Sequence, residues 1–310
     1  MRNSLAASQV KKIDIKKSDK VELSVLMCVY NGERLLSQTI ESVINQTFFN
    51  FEFVIVNDGS IDNTLKVLKE YENKDKRIRI IDKPNSGLID SLNIGLSECK
   101  SEIIIRHDAE DISHQDRLKI LHQYMSKMPD VSCIATLSFF LDKHYNIIGF
   151  SPLMPGLNLN DALDKNQSKI WHPNVVYRKS HVLKAGGYPN VLHAEDHALW
   201  KMMRKHNMNF YLLHQPLYGY LKEPSGISYE NMSIQVRAVL EVGNLKPSIK
   251  QVDELVNRNK IRNQYLYGFP VETNDQPLKW VVYFKLLSLY QKFIIFKYRK
   301  YIKGFLALNK

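Results

Sequence analysis

The sequence predicts an α/β fold built on a mostly parallel, twisted β-sheet with helices on both faces. Short runs of branched apolar residues alternate with longer segments whose apolar residues recur at helical spacing. The short runs are apolar at nearly every position, which is typical of strands that are covered on both faces. Polar clusters follow these runs directly. Together these observations favour a doubly wound parallel sheet that binds a ligand at one edge.

The first half of the chain contains the clearest elements. The predicted strands are 23–29, 52–57, 77–81 and 102–107. Apolar residues between Leu36 and Thr47, and again from Leu65 to Tyr71, fall on one face of a helix. Farther along, the pattern predicts a helix near 118–125, strands at 131–140 and 147–150, a strand broken by Pro173 at 169–179, and a helix at 194–205.

The polar clusters fall where the predicted strands end. Tyr30, Asn31 and Glu33 follow the first strand, Asp58 follows the second, and Asp108 opens an acidic cluster after the fourth. Ligands of open α/β sheets bind beyond the carboxyl ends of the strands. We therefore expect these side chains to meet at one edge of the sheet.

The acidic cluster consists of Asp108, Glu110 and Asp111. Carboxylate oxygens suit Mg²⁺ or Mn²⁺, which bind proteins through one or two carboxylates together with substrate phosphates. An ordinary acidic turn that caps the next helix is the alternative, and composition alone favours it. Carboxylates crowded at a ligand-binding edge repel one another unless a cation is present, so their position favours a metal site.

Two further segments have side chains suited to catalysis or binding. In 56–64, Asp58 is placed to accept hydrogen bonds from a base or ribose, although an Asx turn with a helix cap fits equally well. Glu195 and Asp196 open a predicted helix and provide either a general base or simple stabilisation of the helix N-terminus. His172 lies on an apolar strand, where a lone histidine is more often a core residue than a ligand.

Composition and missing motifs exclude several classes. The three cysteines have no CxxC spacing, so a disulfide framework and a zinc knuckle are disfavoured and a reducing, cytoplasmic setting is expected. The sequence lacks GxxxxGK[ST], GxGxxG and GxSxG, which argues against P-loop, kinase and hydrolase chemistry. No apolar run reaches the roughly 18 residues of a spanning helix. The net charge of +11 points to nucleic acid, anionic lipid or a phosphorylated substrate.

The chain divides into a basic flexible arm (1–20), a main domain (21–228) and a helical, basic-amphipathic C-terminal extension (229–310). From Pro277 onward the tail has eight Lys or Arg, no acid, and many aromatic and branched residues. This composition fits a helix or helix pair that lies on anionic lipid, at the inner face of the cell membrane. A C-terminal helix that packs its apolar face on the domain is the alternative.

Five segments, taken in order, resemble the family 2 glycosyltransferases of the GT-A fold. They are SVLMCVYNGERLLSQTIESVINQTFFNFEFVIVNDGSIDNT, NSGLIDSLNIGL, RHDAEDIS, HPNVVYRK and AEDHALW. The resemblance covers about two thirds of the chain and is strongest to bacterial enzymes that build exopolysaccharide, capsule and lipopolysaccharide. It implies an inverting, metal-dependent transferase that moves a sugar from a nucleotide-sugar, with a UDP-sugar favoured, to a hydroxyl of a saccharide or lipid-linked saccharide.

The resemblance also implies site residues. It assigns the base that deprotonates the acceptor hydroxyl to Asp196, and Mn²⁺ or Mg²⁺ to Asp108 with Glu110 or Asp111. It assigns binding of the nucleotide-sugar to Tyr30, Asn31, Glu33, Asp58, Asn85, Gly87, Asn93, Asp108, His172 and Glu195.

Two positions depart from the family pattern. Glu110 replaces the more usual second aspartate, which leaves Glu110 and Asp111 as alternative metal ligands. His107 stands where an apolar residue is common. A sugar-nucleotide nucleotidyltransferase is the nearest rival, although it would normally have a glycine-rich basic loop near the first strand. A nucleic-acid-binding protein is supported only by the net charge, and the basic residues concentrate at the termini, so no nucleic acid partner is expected.

Overall fold

The computed structural model describes residues 20–151, 157–165, 170–222, 238, 241–242 and 251–256. The strands are β1 (Leu23–Val29), β2 (Phe51–Asp58), β3 (Ile78–Lys83), β4 (Ile103–Asp108), β5 (Ile112–Ser113), β6 (Val131–Leu141), β7 (Ile147–Phe150), β8 (Val175–Arg178) and β9 (Asn209–Leu221). The helices are α1 (Leu36–Ile44), α2 (Thr64–Lys74), α3 (Leu88–Glu98), α4 (Arg117–Lys127), α5 (Leu159–Asp164), α6 (Lys179–Lys184) and α7 (Glu195–Lys205). A 3-10 turn, His172–Asn174, precedes β8.

The strands form one sheet in the order β3-β2-β1-β4-β8-β6-β9-β5, with β7 paired to β6. β1 pairs in parallel with both β2 and β4, and β2 pairs in parallel with β3. The chain therefore adds β2 and β3 on one side of β1 and then places β4 on the other side. Open sheets of this kind have their ligand-binding crevice at such a switch point, which here lies beyond the carboxyl ends of β1 and β4. This arrangement confirms the predicted α/β fold.

Beyond β4 the sheet becomes mixed. β8 is antiparallel to β4 and to β6, whereas β6 and β9 run parallel. The two-residue strand β5 lies directly after the acidic turn and pairs antiparallel with β9. Through this pairing, the last strand of the sheet returns to the end of β4.

Two apolar layers cover the sheet. Alternate residues of β1 point to opposite faces, so that Val25 and Met27 join one buried cluster while Leu26 and Cys28 join the other. Side chains of α1, α2 and α4 pack in the first cluster, and side chains of α3, α5 and α7 pack in the second. The sheet is therefore the central layer of three, as its near-continuous apolar strands predict.

The observed elements match most of the predicted ones. β1 and β7 have the predicted bounds, and the segment interrupted by Pro173 becomes the 3-10 turn followed by β8. The patterns did not predict β9. Of the predicted arm only Lys20 is described, and the tail from Pro277 lies outside the described residues. No helix in the described part of the chain is long and apolar enough to cross a membrane.

Candidate active site

The loops that follow β1 and β2 are locked together by reciprocal hydrogen bonds. Asn31 N donates to Ser60 Oγ at 2.9 Å, and Ile61 N donates to Asn31 Oδ1 at 2.9 Å. Asn63 N donates to Glu33 Oε2 at 2.6 Å. The side chains of Asn31 and Glu33, both predicted to bind the donor, thus hold the neighbouring loop in place. This fixes the two loops relative to each other at the crevice.

Asp58 holds the loop that follows β3. Its Oδ1 accepts hydrogen bonds from Lys83 Nζ and from Ser86 N at 2.9 Å, and its Oδ2 accepts one from Gly87 N at 2.9 Å. Burial alone would raise the pKa of Asp58, but the hydrogen bonds from Lys83 and Ser86 outweigh it and lower the pKa. Asp58 is therefore charged at neutral pH and fixes the backbone at the start of α3.

The same two loops meet at Gly59 and Asn85. Gly59 has φ 68, and a Cβ on it would lie 2.5 Å from Asn85 N, so only glycine permits this approach. Asn85 is exposed, and Tyr30 is 51% exposed. Both side chains lie on loops beyond the carboxyl ends of the parallel strands and are accessible to a ligand.

Asp108 ends β4 and forms an ion pair with a buried arginine. Arg106 Nη2 lies 2.5 Å from Asp108 Oδ1, with side-chain exposures of 1% and 38%. A second guanidinium nitrogen donates to the carbonyl of His107, while Nε has no partner among the described residues. The sequence interpretation gave Arg106 no role. The feature of the sequence that could have indicated a role for Arg106 is its charge, which lies inside a strand predicted to be covered on both faces.

The three predicted metal ligands differ in burial. Asp111 is 3% exposed, and its Oδ1 accepts a hydrogen bond from Leu221 N at 2.8 Å. Burial, and then the charge of Asp108, raises the pKa of Asp111 well above its usual value. Glu110 is exposed. The described residues contain no group of three or more His, Cys, Asp or Glu arranged to hold a metal.

The accessible carboxylates still fit a divalent cation. Mg²⁺ usually keeps several waters and binds through one or two carboxylates and the phosphates of the substrate. Asp108 and Glu110 offer hard oxygen ligands of this kind beside the crevice. This donor set would hold a metal together with a diphosphate, rather than in a cage made by the protein alone.

His107 closes the base of the acidic turn. Its Nδ1 lies 2.7 Å from the carbonyl oxygen of Asp108, and its Nε2 lies 2.9 Å from Ser113 Oγ. Burial, and then Arg117, holds the pKa of His107 well below its usual value, so the ring is neutral. A carbonyl only accepts, so the proton is on Nδ1 and Ser113 donates to Nε2. The turn from 108 to 112 is pinned between these two side chains.

Residues distant in sequence support the end of β4. Asp108 N donates to the hydroxyl of Tyr218 on β9 at 3.1 Å. The Arg117 guanidinium lies 4.5 Å from the centroid of the Tyr218 ring, and its Nη2 donates to the carbonyls of Arg106 and Pro173 at 2.9 Å. The sequence interpretation missed both Tyr218 and Arg117, because nothing near them in the chain indicates these contacts.

Glu195 and Asp196 form the first turn of α7, where the helix dipole favours negative charge. Burial, and then the neighbouring Asp196, raises the pKa of Glu195 to about 7. Burial likewise raises the pKa of Asp196. The charge of Asp108 adds to both shifts, so the acidic turn and the start of α7 belong to one electrostatic site.

His172 lies beside this acidic pair. Its Nδ1 is 4.0 Å from Glu195 Oε1, and its Nε2 is 2.9 Å from the hydroxyl of Tyr188. Burial, and then Arg106, holds the pKa of His172 well below its usual value. The imidazole is therefore neutral, and its contact with Glu195 is not a salt bridge.

Asn93 contacts the backbone of Tyr188. Its Nδ2 donates to Tyr188 O at 2.9 Å, and its Oδ1 accepts from Tyr188 N at 2.8 Å. Gly87, also predicted to bind the donor, is the residue that precedes α3, and its N–H is held by Asp58. The structure thus places Asn93 against the loop that leads to α7.

Phe140, Trp171 and Tyr220 form an aromatic group. The ring centroids of Phe140 and Trp171 lie 4.9 Å apart, and those of Trp171 and Tyr220 lie 5.6 Å apart. Lys222 Nζ lies 4.7 Å from the Tyr220 centroid. Trp171 directly precedes His172, and both Trp171 and Tyr220 are partly exposed. An accessible aromatic surface therefore adjoins His172.

Comparisons with known proteins agree with this architecture. A sequence model described as "Glycosyl transferase family 2" matches residues 24–184, just over half of the 310-residue chain. An uncharacterized glycosyltransferase of Haemophilus influenzae is 34% identical over 193 residues, which make up 57% of this chain and 58% of that protein. The chain thus spans less than two thirds of that relative.

A second relative has a named activity, and a solved structure shares the fold. The UDP-Gal:alpha-D-GlcNAc-diphosphoundecaprenol beta-1,3-galactosyltransferase of Escherichia coli is 29% identical over 185 residues, 59% of this chain and 67% of that protein. A mannosyltransferase from Pyrobaculum calidifontis, solved in complex with GDP-Man and Mn²⁺, superposes with a TM-score of 0.57 at 13% identity. The superposition covers 94% of this chain and 87% of that chain.

Proposed function

The chain belongs to glycosyl transferase family 2, and from this premise we propose that it transfers a sugar from a nucleotide-sugar to an acceptor hydroxyl, with inversion and with a divalent metal. One observation carries the proposal. The partly exposed carboxylate of Asp108 ends β4, and its charge adds to the raised pKa of both Glu195 and Asp196 at the start of α7. Asp108, proposed to face the diphosphate, thus interacts electrostatically with the pair that contains the proposed base.

Asp196 is proposed as the general base. A carboxylate serves best when its pKa is close to the working pH, and burial raises the pKa of Asp196 toward that range. A base that takes the proton from an acceptor hydroxyl on the face opposite the leaving group gives a single displacement, and so inversion. Glu195, at the preceding position, is proposed to line the sugar side of the same site.

Asp108 and Glu110 are proposed to hold Mn²⁺ or Mg²⁺, with Asp111 buried behind them. Such an ion, when bound, neutralises charge on the leaving nucleoside diphosphate. The chain's own part is positional. Arg106 holds one oxygen of Asp108, and His107 and Ser113 fix the turn that carries Glu110.

The donor nucleotide is proposed to bind between Tyr30, Asp58 and Asn85. The interlocked loops after β1 and β2 give this pocket a fixed shape, and Tyr30 offers an exposed ring for stacking. UDP is the proposed nucleotide, because the Escherichia coli relative is named for a UDP-Gal donor. Asn31 and Glu33 support the pocket through the loop that they hold.

The acceptor is proposed to be a saccharide or lipid-linked saccharide of a bacterial surface polymer. The same relative is named for an acceptor that carries a diphosphoundecaprenol. The aromatic surface of Trp171 and Tyr220 beside His172 suits a sugar ring. The basic tail suits attachment to the cytoplasmic face of an anionic membrane, where a lipid-linked acceptor would be found.

The test is a panel of UDP-, GDP- and dTDP-sugars, assayed for binding and for turnover to the free nucleotide with Mn²⁺, Mg²⁺ or a chelator. The proposal expects turnover of one nucleotide class, lost in chelator. Turnover that is equal in chelator would overturn the metal dependence. Synthesis of a nucleotide-sugar from a nucleoside triphosphate and a sugar phosphate would instead establish the rival nucleotidyltransferase activity.

A further inference from the structure

We infer that Asn93 is a positioning residue for the acidic pair of α7 and acts through Tyr188 and His172. The inference rests on the proposed function and deepens it. The family resemblance places Asn93 in the donor pocket, whereas its contacts in the structure lead to Tyr188, in the loop that precedes α7. Its role would therefore be in the chemical step rather than in the binding of the donor.

The side chain of Asn93 clamps the backbone of Tyr188 through two hydrogen bonds. Asn93 and Tyr188 are 95 residues apart, and both polar atoms of the Asn93 amide bond the backbone of Tyr188. A backbone N–H only donates and a carbonyl only accepts, so the orientation of the amide is fixed by its partners. Of the other side chains of similar size, only an amide or a protonated carboxyl offers this donor and acceptor pair.

The loop that precedes α7 approaches α3 closely at Gly187. Gly187 has φ 76, and a Cβ on it would lie 2.7 Å from Asn93 Oδ1. The loop before α7 therefore lies directly against the Asn93 side chain. Position 187 has no room for a residue with a side chain. The packing and the two hydrogen bonds fix the same part of the loop.

A series of contacts leads from Tyr188 through His172 to Glu195. The Tyr188 side chain is buried, and its hydroxyl lies 2.9 Å from His172 Nε2 and 3.1 Å from the Tyr177 hydroxyl. His172 in turn lies 4.0 Å from Glu195. Buried, close-packed groups transmit small displacements, so a shift of Tyr188 would move His172 and the acids beside it.

Helix α3 has contacts at two places, one at its start and one at Asn93. The helix begins after Gly87, whose N–H is held by Asp58, and Asn93 lies six positions beyond Gly87, about 9 Å along the helix. One rigid element thus joins the donor-side loop to the loop of the acidic pair. A substitution at Asn93 tests the second contact and leaves the first in place.

The test compares Asn93→Asp with Asn209→Asp, a matched change at an exposed position at the start of β9. In Asn93→Asp, an ionised carboxylate faces the Tyr188 carbonyl and repels it. We expect kcat with the donor found in the panel to fall at least about tenfold, because a misplacement of about 1 Å costs up to about 100-fold. The Kd for UDP in the presence of Mn²⁺, measured by calorimetry, should not change. Asn209→Asp should alter neither quantity.

The pH dependence separates this role from general damage to the fold. A protonated carboxyl can donate to the Tyr188 carbonyl as the amide does, so the ratio of variant to wild-type kcat should rise as pH falls. Tyr188→Phe keeps the clamp and removes only the hydroxyl, and should lower kcat without a change in the Kd for UDP. Hydrogen exchange of the amides in 186–194 should be faster in Asn93→Asp than in wild type.

The outcomes are distinct. A weaker Kd for UDP with an unchanged kcat would overturn the inference and return Asn93 to the donor pocket. A ratio that is independent of pH, with unchanged exchange in 186–194, would overturn it as well. Absence of turnover by the wild-type protein on every donor would refute the proposed function itself, a result that is independent of any Asn93 variant.

Discussion

Arg106 and Asp108, two residues apart on β4, form an ion pair across 2.5 Å in which the cation is buried and the carboxylate is 38% exposed. The arginine therefore depends on a carboxylate that the proposed function also uses for the metal. Stability and activity meet at this one residue, and the first prediction follows from it.

Asp108→Asn should destabilise the protein as well as inactivate it. The substitution leaves the Arg106 charge buried without its partner, and breaking a buried pair costs about 3–5 kcal/mol. Because Asp108 is partly exposed, we expect a smaller loss, about 2–3 kcal/mol, in urea unfolding. Glu110→Gln, at an exposed position in the same turn, is the control, and equal stabilities of the two variants would contradict the prediction.

Asp196→Asn should abolish transfer and leave nucleotide binding intact. Removal of a general base costs about 10²- to 10⁴-fold in rate. The Kd for UDP with Mn²⁺, measured by calorimetry, should match that of wild type, because Asp196 lies on α7 and the donor loops follow β1 to β3. Asp161→Asn on α5 is the charge-matched control. If binding disappears together with turnover, the role as base is wrong.

Glu110 and Asp111 can be separated as metal ligands. Asp111 is directed at Leu221 N, so Asp111→Asn should leave the Mn²⁺ affinity of the UDP-bound protein unchanged. Glu110→Gln should weaken it by about tenfold, equivalent to about 1.4 kcal/mol. The free Mn²⁺ signal in electron paramagnetic resonance measures both. The opposite ranking would assign the metal to Asp111.

Glu195 should make stability depend on pH. Its pKa is raised from 4.5 to about 7, so between these values the folded protein binds a proton that the unfolded chain releases. The free energy of unfolding therefore falls as pH rises through this window. Glu195→Gln should raise it by up to about 3 kcal/mol at pH values above 7 and by little near 4.5.

Urea unfolding at several pH values checks the Glu195 prediction. Glu70→Gln, on the exposed face of α2, is the charge-matched control. A Glu195→Gln difference that is the same at every pH would show that Glu195 titrates normally.

Deletion of 277–310 should release the protein from anionic membranes. The deleted tail carries eight of the basic residues and no acid, and each basic residue near an anionic surface contributes about 1 kcal/mol. Cosedimentation with phosphatidylglycerol vesicles measures the effect, with phosphatidylcholine vesicles and high salt as controls. Undiminished binding of the truncated protein would place the membrane contact elsewhere.

Local patterns predicted the parallel half of the sheet because β1, β2 and β4 are buried on both faces. Val25 and Leu26 face different clusters, and the sequence shows this as an unbroken apolar run. β9 has no such run. It contains Pro216, which pairs with Leu137 where the register shifts, and this irregularity allows a residue without an N–H inside a strand.

The candidate site was only partly predictable for a related reason. Asp108 and Asp196 can be recognised in the sequence because Asp108 ends a strand and Asp196 lies in the first turn of a helix. The groups that support them come from far along the chain, as Tyr218 does for Asp108 over 110 residues. Such contacts are decided by the three-dimensional packing, and neither composition nor spacing near Tyr218 indicates them.

The pairing of β5 with β9 joins two segments of the chain that are synthesised at different times. Asp111 and Leu221, which are joined across this pair, are 110 residues apart, so the acidic turn lacks its outer strand until Leu221 has left the exit tunnel. Synthesis proceeds from the N-terminus, and pairings over long separations form slowly. The loops after β1 and β2 can therefore assemble early in translation, whereas the acidic turn is completed only when β9 has been made.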